Sequence, residues 1–135
     1  MSGRLLGFEH AGIAVSDLDA SIGFYCELLG LDLVLRKQMP RGSGELAFLE
    51  TGNGQLELIC PSPRVETPAP RLPDSSAGIR HLTFRFDDID AVFARLVGAG
   101  VAVIEAPREA YNKEIVARVA FVADPDGIVI ELAQR

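Results

Sequence analysis

Apolar and polar positions alternate along residues 8–15 and, more regularly, along 81–86, which predicts two strands with unlike faces. Each is followed by an apolar stripe at spacings of three and four, the mark of a one-sided helix. The first stripe is Leu18, Ile22, Tyr25, Leu28 and Leu29; the second is Ile89, Val92, Phe93, Leu96 and Val97. Ser16 or Asp17 can cap the first helix, and Asp87 or Asp88 the second. Gly30 and Gly100 stand where a helix end asks for a left-handed residue. Shorter strand patterns follow at about 32–37, 45–50 and 55–60, and again at about 101–105, 115–122 and 128–133. Gly52-Asn53-Gly54 and Asp124-Pro125-Asp126-Gly127 predict the turns that close the last hairpin of each set. Asp124 and its neighbours lack the later ligands of a calcium loop, so a turn is the better reading.

The two sets are one pattern written twice. His10 and His81 lie 71 residues apart, and so do Asp17-Leu18-Asp19-Ala20 and Asp88-Ile89-Asp90-Ala91. AFLETGNGQLEL, starting at Ala47, answers AFVADPDGIVIEL, starting at Ala120, with one residue inserted, so Glu57 answers Glu131. A repeat of about sixty residues reading strand, helix, three strands predicts an α+β fold of two tandem βαβββ units. The predicted organisation is one domain over 1–135, with unit 1 at about 6–60 and unit 2 at about 79–134. Between them, 61–78 holds five of the eight prolines and reads equally as a stiff linker or as a lid over a site.

Composition narrows the function. The 135 residues carry a net charge of −6, and the sequence has no Lys/Arg cluster, which argues against nucleic acid as a partner. No apolar run approaches the ~18 residues that cross a bilayer, and the opening MSGRLLGFEHAG lacks the features of a secretory signal. Cys26 and Cys60, without a C-x-x-C pattern, read as small buried apolar residues of a reduced, cytoplasmic protein.

The candidate chemistry lies on mirrored strands. His10, Gly12 and Ala14 share one face of the first strand, and His81, Thr83 and Arg85 share one face of the fifth. The opposite faces, bulkier in both copies, are expected to pack under the helices. Glu57 sits between Leu56 and Leu58, and Glu131 between Ile130 and Leu132, each a carboxylate inside an apolar strand. A lone carboxylate there is costly unless paired or metal-bound. One His of this kind is usually a satisfied side chain; one His and one Glu recurring at matching places twice is a constellation. Two imidazoles and two carboxylates suit a divalent Zn, Ni, Co, Fe or Mn ion, and an octahedral ion would keep two positions open for substrate.

The paired units with His10, Glu57, His81 and Glu131 resemble the vicinal oxygen chelate superfamily, which includes glyoxalase I, methylmalonyl-CoA epimerase, extradiol dioxygenases and the fosfomycin and bleomycin resistance proteins. The likeness runs from His10 to Leu132 and is strongest in HAGIAVSDLDASIGFYCELLGL, IRHLTFRFDDIDA and AFVADPDGIVIEL. It implies a curved, half-barrel mixed sheet around a metal-binding groove, a homodimer, and a small-molecule carbonyl substrate such as a glutathione hemithioacetal or an acyl-CoA. A metal quartet fits an extradiol dioxygenase less well, because Glu57 would be surplus, and argues against a plain antibiotic- or metabolite-binding resistance protein. Between the remaining activities, the Asp124–Gly127 turn and Glu57 look like glyoxalase I, a lyase. The Pro-rich 61–78 looks more like the epimerase, an isomerase, whose extra catalytic Glu has only Glu45, out of step, to answer it. Both activities move a proton beside a carbonyl. The resemblance gives that role to Glu131, with Glu57 as the alternative base. Arg36, Lys37, Arg41, Asn112 and Lys113 are available to recognise glutathione.

Overall fold

A computed structural model of the chain describes residues 2–64 and 75–135. It divides into two compact units, Met1–Glu66 and Thr67–Arg135. Each unit is built in the order the repeat predicts.

In the first unit, β1 (His10–Ala14) leads into α1 (Leu18–Ile22), then β2 (Asp32–Gln38), β3 (Gly44–Glu50) and β4 (Gln55–Pro61). The sheet order is β1-β4-β3-β2, with β1 parallel to β4 and the other pairs antiparallel. In the second unit, β5 (Leu82–Arg85), α2 (Ile89–Gly98), β6 (Val103–Glu109), β7 (Arg118–Ala123) and β8 (Val129–Gln134) repeat it as β5-β8-β7-β6. The α+β class holds, as two open four-stranded mixed sheets, each with its own helix.

Both helices start on an aspartate. Asp17 accepts from the Ala20 amide at 3.1 Å and Asp88 from the Ala91 amide at 3.1 Å, which selects these over Ser16 and Asp87 as the caps. Gly30 (φ 92°) and Gly100 (φ 81°) follow the helices in left-handed conformation. The first helix departs from expectation after Ile22: Gly23–Leu28 winds as a π-helix, closed by the Leu29 amide on the Phe24 carbonyl at 3.1 Å. Five residues per hydrogen-bonded step bring Phe24, Tyr25 and Leu29 into the core, while Leu28 stays half-buried.

The core of each unit lies between helix and sheet. Ala47, Leu49, Leu56 and Leu58 are buried in the first, and Ala120, Val122, Ile130 and Leu132 in the second. Burying each such Leu or Ile contributes roughly 1.5–3 kcal/mol. The residues flanking each glutamate therefore fix its strand, and strand alternation turns the glutamate to the far face. Near Asp124, the predicted turn forms: its carboxylate accepts from the amides of Asp126 (2.9 Å) and Ile128 (2.8 Å). Cys26 and Cys60 are free but only half-buried, so the expectation of full burial does not hold. Of the Pro-rich stretch, 65–74 lies outside the described residues, and the choice between linker and lid with it. Among the described residues, no helix is long and apolar enough to cross a membrane.

Candidate metal centre

Register puts a histidine and a glutamate side by side in each unit. Parallel pairing sets Gly12 opposite Glu57, with His10 two residues earlier on the same face. His10 Nε2 lies 3.5 Å from Glu57 Oε1. In the second unit Thr83 stands opposite Glu131, and His81, immediately before β5, brings its Nε2 to 3.2 Å from Glu131 Oε1. All four predicted residues thus sit on the face away from the helix, in two like pairs. The glutamates are the more enclosed, with side chains 19% and 15% exposed against 35% and 38% for the histidines.

Those spacings suit adjacent ligands of one ion. Nitrogen and oxygen donors at 2.0–2.2 Å from a metal, subtending roughly 90–110°, lie about 2.9–3.5 Å apart. Each unit offers two such donors. Among the described residues, no three His, Cys, Asp or Glu side chains converge on one point. The pair, repeated once per unit, is the element the structure shows.

An aromatic ring completes each pair, and the sequence reading missed it. Phe48 lies opposite Glu57 across β3 and meets the His10 ring edge-on at 5.3 Å. Phe121 lies opposite Glu131 and meets His81 in the same way at 5.7 Å. The signal was present: both phenylalanines occupy the second place of the repeated Ala-Phe that opens the aligned segments. Such edge contacts contribute roughly 0.5–1.5 kcal/mol and favour the imidazole orientation the structure has.

The surroundings of the two pairs differ. Glu9 lies against His10 Nδ1 at 3.3 Å, whereas the matching residue before His81 is Arg80, which donates to the Ser76 carbonyl. Thr83 Oγ1 donates to Glu131 Oε1 at 2.6 Å. Its counterpart Gly12 has no side chain, and a Cβ there would sit 3.3 Å from Glu57 Oε1.

Of the expected cations, Lys37 lies opposite Leu46 and so shares the face of Phe48 and Glu57, while two others are paired elsewhere. Arg36 lies opposite Ala47, on the helix side, and is committed to Asp19 (2.7 Å) and Glu45 (3.2 Å). Glu45 shares that side, away from His10 and Glu57, which removes it as an epimerase base. Lys113 pairs with Glu109 at 2.8 Å. The arginine on the histidine side of β5 is Arg85, opposite the buried Ala133. Arg108, bonded to Glu105 and 4.3 Å from the Tyr111 ring, is a cation the sequence reading passed over; Glu105 chiefly, and more weakly Tyr111 and Glu131, raise its already high pKa.

Residues 7–132 match the family model for the glyoxalase/bleomycin resistance protein/dioxygenase superfamily. The chain is 33% identical over 129 residues to a probable lactoylglutathione lyase of Synechocystis, covering 93% of this chain and 92% of that one. Among solved structures, glyoxalase I from Zea mays superposes with a TM-score of 0.76 at 27% identity, covering 93% of this chain and 43% of the maize chain. TnmS3, an antibiotic-binding protein from Streptomyces, superposes with a TM-score of 0.67 at 31% identity over 99% of this chain and 98% of its own.

Proposed function

Since the chain belongs to the glyoxalase/bleomycin resistance/dioxygenase superfamily, we propose that it is a metal-dependent lyase or isomerase of the glyoxalase I type, working in the cytoplasm as a homodimer on a small carbonyl substrate, with a hemithioacetal of glutathione as the first candidate. The observation that carries this reading is the doubled His–Glu pair at the spacing of adjacent metal ligands, His10 with Glu57 and His81 with Glu131. Together the two kinds of pair supply two nitrogen and two oxygen donors, the set that suits a divalent ion. A divalent ion held there would supply Lewis-acid stabilisation of the charge developing on the substrate's oxygen.

The protein's own residues supply the rest. The two imidazoles pack edge-on against Phe48 and Phe121, which favours the orientation that brings each Nε2 beside its glutamate. Glu131 takes a proton from the carbon beside the carbonyl and returns it to the neighbouring carbon; Glu57 is the other carboxylate within reach of this role. Loss of such a base costs roughly 10²–10⁴ in rate. An acyl-CoA epimerase has less support, because Glu45 faces the helix. A second reading is a binding protein, favoured by the likeness to antibiotic-binding TnmS3 along nearly the whole of both chains.

Turnover of the methylglyoxal–glutathione hemithioacetal, assayed with Ni, Co and Zn in turn, separates the two, and light scattering on the same preparation reads the assembly. Metal-stimulated turnover by a dimer is expected. Stoichiometric ligand binding without turnover would transfer the protein to the binding class.

A further inference from the structure

The repeat places one residue directly opposite each glutamate, and the two are chemically opposite. Opposite Glu57 is Gly12, which offers no donor, and a Cβ there would stand 3.3 Å from Glu57 Oε1. Opposite Glu131 is Thr83, whose hydroxyl donates to Oε1 at 2.6 Å, the length of a hydroxyl–carboxylate bond. The same oxygen faces His81 Nε2 at 3.2 Å. Oε1 of Glu131 is therefore spoken for twice. Among the described residues, Glu57 accepts no hydrogen bond from a hydroxyl, and its carboxylate is guided by His10 alone.

We infer that Thr83 is a positioning residue that fastens Glu131 through Oε1 and leaves Oε2 as the oxygen that carries the proton. The inference rests on the proton-transfer reading above and deepens it. A base must loosen from its resting contacts yet stay within reach of the substrate carbon. A hydrogen bond from the opposite strand does both, since it holds one carboxylate oxygen while the other turns. Oε2 removes the proton from the carbon beside the carbonyl. The C–H electron pair becomes a carbon–carbon double bond, and the carbonyl pair moves onto oxygen. The proton is then delivered to the former carbonyl carbon, and a hydroxyl proton passes from one substrate oxygen to the other. Atoms and electrons balance as an isomerisation, with no oxidant or reductant. No bond to Thr83 is made or broken.

The test is Thr83→Val, which keeps the β-branched shape on an exposed face of the strand and removes the hydroxyl, with Thr83→Ser as its rescue. Circular dichroism melting checks that both fold. With the methylglyoxal–glutathione hemithioacetal, kcat per bound metal is expected to fall ~10–100-fold in Thr83→Val, the scale for losing a group that orients a functional ligand. KM and metal content should stay near wild type, and Thr83→Ser should restore most of the rate. In the cobalt-loaded protein, Thr83→Val should shift the visible absorption bands and Thr83→Ser should return them. Unchanged kcat in Thr83→Val overturns the inference. So does a rate loss explained wholly by lost metal, which would make Thr83 a brace for a ligand and nothing more. Wild-type protein inert with every metal would defeat the glyoxalase reading itself. The cobalt spectra then still decide Thr83: bands unmoved by Thr83→Val overturn its positioning role, and bands moved by Val and restored by Ser uphold it.

Discussion

The first unit steadies its histidine and the second steadies its glutamate. Glu9 lies against His10 while Glu57 faces a bare glycine; Arg80 donates to the Ser76 carbonyl while Thr83 grips Glu131. The backbone does the same thing twice: parallel pairing of the first and last strands, and an edge-on phenylalanine against each histidine. Duplication thus sets where the side chains stand, and single residues beside them set how each carboxylate is held. The carboxylate brace is also the more durable. Glu9 is 82% exposed, where an ion pair contributes little and is screened by salt. Thr83 needs no charge of its own.

The largest break to this comparison comes from removing the nitrogen donors. His10→Ala and His81→Ala each take away one of two imidazoles, so each should lower metal affinity by an order of magnitude or more, and the double variant should purify nearly metal-free. Elemental analysis of unsupplemented protein measures this. Undiminished metal in the double variant would sink the ligand assignment for both units.

A smaller effect is expected from giving the first unit a side chain opposite Glu57. In Gly12→Ala the new methyl stands 3.3 Å from Glu57 Oε1, so the carboxylate must shift by a few tenths of an ångström. Metal affinity should fall by less than about tenfold, below the range seen when an orienting partner is lost outright. Competition with a chelator reads the change. Unaltered affinity would mean that Glu57 has slack and that the tight fit at Gly12 is incidental.

Much of this was legible in the sequence because the repeat aligned everything at once. The 71-residue offset of the histidines marked out a repeated unit and narrowed each helix cap to two adjacent residues, and strand alternation within it pointed to the four candidate ligands. Other features depend on partners far along the chain. The π-helical turn at Gly23–Leu28 keeps an apolar spacing that also fits an ordinary helix, so periodicity could not reveal it. Strand β6 runs to Glu109, beyond the predicted 101–105, since Pro107 sits on an edge strand where a missing donor is tolerated. Ile115 and Val116 look strand-like but belong to a turn closed on the Asn112 carbonyl. Arg36 looked free for substrate because its acceptors, Asp19 and Glu45, are distant in sequence. Thr83 and Gly12 were placed on the correct face, yet only the register sets each opposite its glutamate.

The central claim is that both glutamates are ligands while Glu131 alone carries the proton. The most direct measurement is bound metal and turnover on the same preparations of Glu131→Gln and Glu57→Gln, since Gln keeps the size and an oxygen donor but not the basicity. Glu131→Gln should retain some metal and lose ~10²–10⁴-fold in turnover per bound metal. Glu57→Gln should bind metal less well and lose far less per metal bound. Near-normal turnover by metal-loaded Glu131→Gln, with the large loss falling on Glu57→Gln instead, would contradict the account and move the base to the first unit.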